Sequence, residues 1–151
     1  MEKITSFKIR ARDLRFFLYL EIFTIPSVIL IFKIIEPKSY AGIVAGVLFI
    51  LIGSVLVLRN FCWMNYRKSP TFWVSCIHLF LIALPLFVFR ILNFETPFEE
   101  LLVFGIPGPI LHKISEKIFT VLILSTFGEL MYVRKKQATD IKSGSSEFQR
   151  I

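Results

Sequence analysis

Four long apolar stretches constrain this chain more than any other feature. They fall at about residues 16–35, 40–58, 71–89 and 114–133. A helix needs roughly 20 mostly apolar residues to cross a hydrocarbon core of about 30 Å. Each stretch meets that length, although the fourth carries Lys117 near its start and Glu129 within it. Together they use more than half of the 151 residues, leaving two tails and three loops. A water-soluble fold burying the same four segments would need far more polar cover than 19% charged residues supply. The expected fold is an all-α membrane protein with four transmembrane helices. Residues 1–136 form one transmembrane domain on this reading. Residues 137–151, with Ser143-Gly144-Ser145-Ser146, form a disordered cytoplasmic tail.

Local signals mark the helix ends. Ser69-Pro70 is a cap followed by a first-turn proline opening the third span, and Ser39 can cap the second. Pro37 closes the first, because the residue before a proline resists the helical region. The order of a basic tail and an apolar run matches a signal peptide. That run is a full span long and lacks a small-x-small exit, so the first span is expected to be retained.

The formal charge of +7 is unevenly placed. Thirteen of the 18 basic residues lie in the N-terminal tail, the loop between spans two and three, and the C-terminal tail. The other side has Lys33, Lys38, Arg90, Lys113 and Lys117, offset by Glu36, Glu95, Glu99, Glu100 and Glu116. The positive-inside rule then predicts that both termini are cytoplasmic, with a bacterial inner membrane as the expected location. Nucleic acid is not an expected partner, since no basic face interleaved with stacking aromatics lies outside the spans.

Two segments flank the spans. Ile4, Phe7, Ala11 and Leu14 share one helical stripe among Lys3, Lys8, Arg10 and Arg12. This pattern predicts an amphipathic helix on the anionic cytoplasmic leaflet. Thr96-Pro97-Phe98-Glu99 has the form of a capping box with proline at the first helical position. It predicts a short outer interfacial helix over about 97–104, broken by Gly105-Ile106-Pro107-Gly108-Pro109. That loop either connects two helices or re-enters the membrane, and connection is favoured.

Ionisable residues inside a span are costly, so they are where function is sought first. Glu21, His78 and Glu129 fall at similar predicted depth in spans one, three and four. Such a set could relay protons or bind a cation, with no metal specified by the spacing. The competing reading pairs the two glutamates with Arg59, Arg15 or Arg134 and gives His78 a hydrogen bond to a neighbouring helix. Mid-span Pro26 and Pro85 free the carbonyls of Ile22 and Leu81.

Span two carries Gly42, Gly46 and Gly53, and Gly42-x-x-x-Gly46 is a small-residue surface on which another backbone can pack closely. Cys62 and Cys76 make no CxxC pair. His112 and Glu116, four apart, supply too few ligands for a metal site. Phosphate-cradle, HExxH, GxSxG and Ser/His/Asp patterns are absent, so the chain reads as non-enzymatic, with no cofactor. The expected role is an accessory or assembly subunit in the lipid bilayer, packing with other membrane proteins or itself. The alternative is a small oligomeric transporter or channel with a proton- or cation-linked site at Glu21, His78 and Glu129.

Overall fold

A computed structural model describes residues 2–61 and 69–148, with side chains described over 9–61 and 69–139. The chain is nearly all helical. Helix α1 spans Glu2–Ile34, α2 Lys38–Phe61 and α3 Pro70–Leu92. A two-residue ribbon follows, β1 (Leu102–Val103) antiparallel to β2 (Ile106–Pro107), and α4 runs Gly108–Phe148.

Three helices are long and apolar enough to cross a membrane: Ile9–Ile34, Lys38–Phe61 and Pro70–Leu92, of 26, 24 and 23 residues. At 1.5 Å per residue each exceeds a hydrocarbon core of about 30 Å. They mark the chain as an integral membrane protein. Helix α4 is not among the three, because Lys113, Glu116, Lys117 and Glu129 interrupt its apolar content. It continues as helix to Phe148, beyond Gln137, where composition alone predicts a disordered tail.

Spacing explains how the helices pack. Along α1, Arg10, Leu14, Phe17, Glu21 and Thr24 recur every three or four residues, and all are buried. Along α4 the matching stripe is Leu111, Phe119, Leu122, Thr126, Leu130 and Val133. The opposite face of α1 leaves Tyr19 and Phe23 about 70% exposed, which suits a surface bathed in lipid. Helix α1 packs on α2 and α4, while α3 packs on α2 and α4.

The N-terminal arm differs from expectation. Helix α1 continues without a break from the arm into the span, and Ala11 and Leu14 are buried in one cluster with Leu130 and Val133. Burial against α4, not contact with a leaflet, is what that part of the stripe serves. The side chains of Ile4 and Phe7 lie outside the described residues, as do Cys62, Arg67 and Lys68.

Helix α3 changes pitch midway. Residues Pro70–Cys76 are α-helical, Ile77–Ala83 form a wider π turn, and Leu84–Leu92 return to α. The amide of Leu84 donates to Leu79 O, five residues back. Pro85 has no amide to continue the ladder, and the wide turn before it takes up the mismatch. In α1, Thr24 Oγ1 and Ser27 Oγ donate to the carbonyls of Leu20 and Phe23, flanking Pro26 with local bonds.

The predicted outer helix over 97–104 does not form. Residues 97–101 make single turns, with Glu100 N bonded to Pro97 O and Leu101 N to Phe98 O. The chain then reverses at Phe104 (φ 51°) and Gly105 (φ 80°), the paired positive φ of a tight hairpin. Leu101 and Val103 are buried while Leu102 between them is exposed, a period of two that favours strand over helix. The Gly108 amide closes the ribbon on Leu101 O at 2.7 Å. The hairpin leads directly into α4. Gly105→Ala is expected to cost about 1–2 kcal/mol, since only glycine holds this φ without strain. Faster hydrogen exchange at the Gly108 amide is the readout, and unchanged exchange counts against the assignment.

Candidate functional site

The polar interior divides into two tiers and a separate histidine site. The first tier joins all four helices where α2 ends and α3 begins. Arg10 of α1 is 3% exposed and lies among Asn60, Ser69 and Glu129. Its Nη1 donates to Asn60 Oδ1 at 2.6 Å and its Nη2 to Ser69 Oγ at 2.8 Å. Both Nε, at 2.9 Å, and Nη2 donate to Glu129 Oε1. Ser69 Oγ donates to Glu129 Oε2 at 2.5 Å and also caps α3 by accepting from Phe72 N. Asn60 is fully buried and donates from Nδ2 to Leu56 O. One guanidinium thus bonds to side chains from α2, α4 and the cap of α3, using the fork geometry that lysine lacks.

Beside it, Asp13 of α1 pairs with Arg59 of α2 at 3.2 Å. Asp13 is buried and the Arg59 side chain is 43% exposed, so this pair sits at the rim of the polar group.

The second tier is Glu21, fully buried, whose Oε1 accepts from Thr126 Oγ1 at 2.8 Å. Leu122 O lies 3.0 Å from the same hydroxyl, so one proton has two acceptors in reach. The second oxygen, Glu21 Oε2, is buried and has no hydrogen-bond partner among the described residues. Buried polar atoms are normally paired, and this one is an exception.

His78 stands apart. It lies in the π turn of α3, where its Nε2 is 3.0 Å from Ser115 Oγ of α4. The rings of Phe49 and Phe119 sit 5.7 and 5.5 Å from its own. On α4, Ser115 is three turns from Thr126, roughly 16 Å along the axis. Thr126 and Glu129 are less than one turn apart. Glu21 therefore bonds to α4 less than one turn from Glu129, and His78 bonds to that helix far from both.

The three candidate residues thus have three different sets of partners. Residue counts from the nearest basic residue or cap give equal depth only for untilted helices with short side chains. The arginine expected beside Glu129 exists, but it is Arg10, not Arg59, Arg15 or Arg134. Arg10, Asp13, Asn60 and Ser69 were not selected from sequence as site residues. The signal that finds Arg10 and Asp13 is spacing: both share the inward stripe with Phe17 and Glu21.

The glycines of α2 have separate uses. A Cβ on Gly46 would lie 2.7 Å from Phe87 Cδ2, and one on Gly53 3.0 Å from Leu79 Cδ1. Both pack on α3 of the same chain. A Cβ on Gly42 meets nothing within 4 Å.

Gly42 faces a cavity of about 440 Å³ at the opposite end of the helices from Arg10. Its deeper wall includes Ala45, Gly46, Phe49 and Ala83, and its mouth includes Lys38, Arg90 and His112. No cluster of three or more His, Cys, Asp or Glu side chains suited to a metal ion occurs among the described residues. His112 and Glu116 form a lone pair at 3.4 Å on exposed helix surface. Comparison with known proteins returns no match to a family model, a curated protein or a solved structure.

Proposed function

We propose that this chain is a four-span, non-catalytic membrane subunit with both termini in the cytoplasm, acting by assembly with other membrane proteins. The observation that carries the reading is the use made of its intramembrane charge: Arg10 and Glu129 are consumed in tying the helices together. A polar group committed to holding four helices in register supports a scaffold better than a pathway, because a pathway needs groups that exchange partners.

In this reading α4 is the fourth span, and its charges are accommodated by Arg10 at one end and by the exposed rim at the other. The clustering of basic residues at the Arg10 end supports the orientation. The glycines Gly46 and Gly53 are spent within the chain, so association falls to other surfaces. The arm of α4 past Val133 is suited to it. Val133 is the last buried residue of α4 whose side chain is described, and 15 further residues of helix extend roughly 22 Å beyond it.

Chemical crosslinking in native membranes is expected to capture an adduct heavier than the monomer. Truncation after Lys136 is expected to remove that adduct, whereas recovery of monomer alone would sink the proposal.

One observation favours the second reading, a proton- or cation-linked transporter. Glu21 Oε2 is a buried oxygen with no hydrogen-bond partner among the described residues, available for a transient ligand. The two readings separate in proteoliposomes. The scaffold predicts pH-driven flux no greater than in protein-free vesicles, and the same in Glu21→Gln. Flux that Glu21→Gln abolishes would replace it with the transporter.

A further inference from the structure

We infer that the cavity at the outer end of α2 and α3 is a binding site for an anionic membrane lipid, with the head group on Arg90 and one hydrocarbon chain along α2. Arg90 is the starting point. It stands in the last turn of α3, is 8% exposed, and lines the cavity. Its one hydrogen bond runs from Nη1 to Thr96 O at 2.7 Å, and no carboxylate lies within 4 Å of it among the described residues. A buried guanidinium offers five donors and costs several kcal/mol to desolvate without a counter-ion, by roughly the Born argument.

Its neighbours at the mouth are already matched. Lys38 faces Glu36 at 3.7 Å and donates to Phe32 O, and His112 faces Glu116 at 3.4 Å. Glu99 also lines the mouth but is exposed and makes no ion pair. Arg90 alone of these cations is both buried and without a carboxylate, so an anion entering the cavity meets an unfilled fork suited to a phosphate or carboxylate.

The shape selects an amphiphile. From Lys38 to Phe49 the wall follows twelve residues of α2, roughly 16 Å of helix. Below the mouth it is built from small and apolar groups, Gly42, Ala45, Gly46, Phe49 and Ala83. A volume of about 440 Å³ falls inside the range of about 300–1,000 Å³ typical of ligand sites. The apolar part is walled by membrane-spanning helices, with Val28 and Phe32 of α1 facing α2, while Arg90 stands in the last turn of α3, where a head group would sit. A lipid chain enters such a space at no cost in water contact, and a soluble anion could use only its mouth.

The test is native mass spectrometry on delipidated protein in a neutral maltoside, titrated with phosphatidylglycerol or with phosphatidylcholine. One phosphatidylglycerol per chain is expected, held at least about tenfold more tightly than phosphatidylcholine, a gap of about 1.4 kcal/mol. Arg90→Gln is expected to remove the difference between the two lipids. Gly42→Leu fills the cavity from a position with no neighbour to strike, and is expected to weaken phosphatidylglycerol at least about tenfold, by 1.4 kcal/mol or more. Should Arg90→Gln fail to fold, the Gly42 variant decides. Equal retention of both lipids, or retention indifferent to filling the cavity, overturns the site. Full displacement of phosphatidylglycerol by millimolar inorganic phosphate also overturns it, since that marks a soluble-anion site at the mouth.

Discussion

Arg10→Met is expected to lower stability by about 3–5 kcal/mol, the loss that follows when one partner of a buried ion pair is removed. The substitution leaves Glu129 in place with a side chain only 13% exposed, and removes its cationic partner along with the bonds to Asn60 and Ser69. An uncompensated buried charge costs more than the pair was worth, because desolvation is no longer offset. Adding Glu129→Gln to Arg10→Met should recover a large part of the loss. Thermal unfolding of the purified protein in detergent reads both. The matched control is Asp13→Asn, which breaks the Arg59 pair at the rim without leaving a charge buried. The remaining Arg59 is 43% exposed and can turn to solvent, so that loss should stay within about 1 kcal/mol. Equal effects of the two substitutions would mean that Arg10 is no keystone.

Gly46→Leu is expected to be the second most damaging change. Even the first added carbon falls 2.7 Å from Phe87 Cδ2, inside any tolerable contact, and Cγ of the same ring is 3.5 Å away. The ring must turn out of its packed position, and the further carbons of leucine then press into the contact between α2 and α3. Overpacking of this kind costs about 1–3 kcal/mol for modest additions, and leucine adds three carbons beyond the first. Phe87→Ala in the same chain should relieve most of it by vacating the space. Gly42→Leu, four residues earlier on the same helix, should leave the melting temperature nearly unchanged, because its Cβ meets nothing. Equal melting of the Gly42 and Gly46 variants would contradict the packing described here.

These two cases show how much of the molecule was legible beforehand. The helical character and the three spans at α1, α2 and α3 follow from long, predominantly apolar runs, which no local context reverses. Ser69 as the cap of α3 is equally local: its hydroxyl meets the Phe72 amide three residues on. The outer segment misled because a capping box and a first-turn proline describe only how a helix could begin. What prevailed there was the burial of Leu101 and Val103 against Ile82 and Leu111, an alternation that a helix cannot satisfy.

The candidate site shows the same division. Glu21, His78 and Glu129 are buried or nearly buried, and an ionisable residue in an apolar run must find a partner. Which partner it finds depends on helix tilt, rotation and side-chain reach, none of which is local. Glu129 meets an arginine 119 residues away, and His78 a serine 37 residues away.

By itself the sequence determined the solvent, the spans, and the fact that a few polar groups had to be satisfied inside them. Composition and periodicity act through free energies that each residue contributes largely alone. Only the tertiary structure decided that Arg10 joins four helices, that Gly46 is filled by a ring while Gly42 is left open, and that Arg90 lines a cavity with no carboxylate beside it among the described residues. Those are properties of pairs and of enclosed space, and they exist only once the helices have packed.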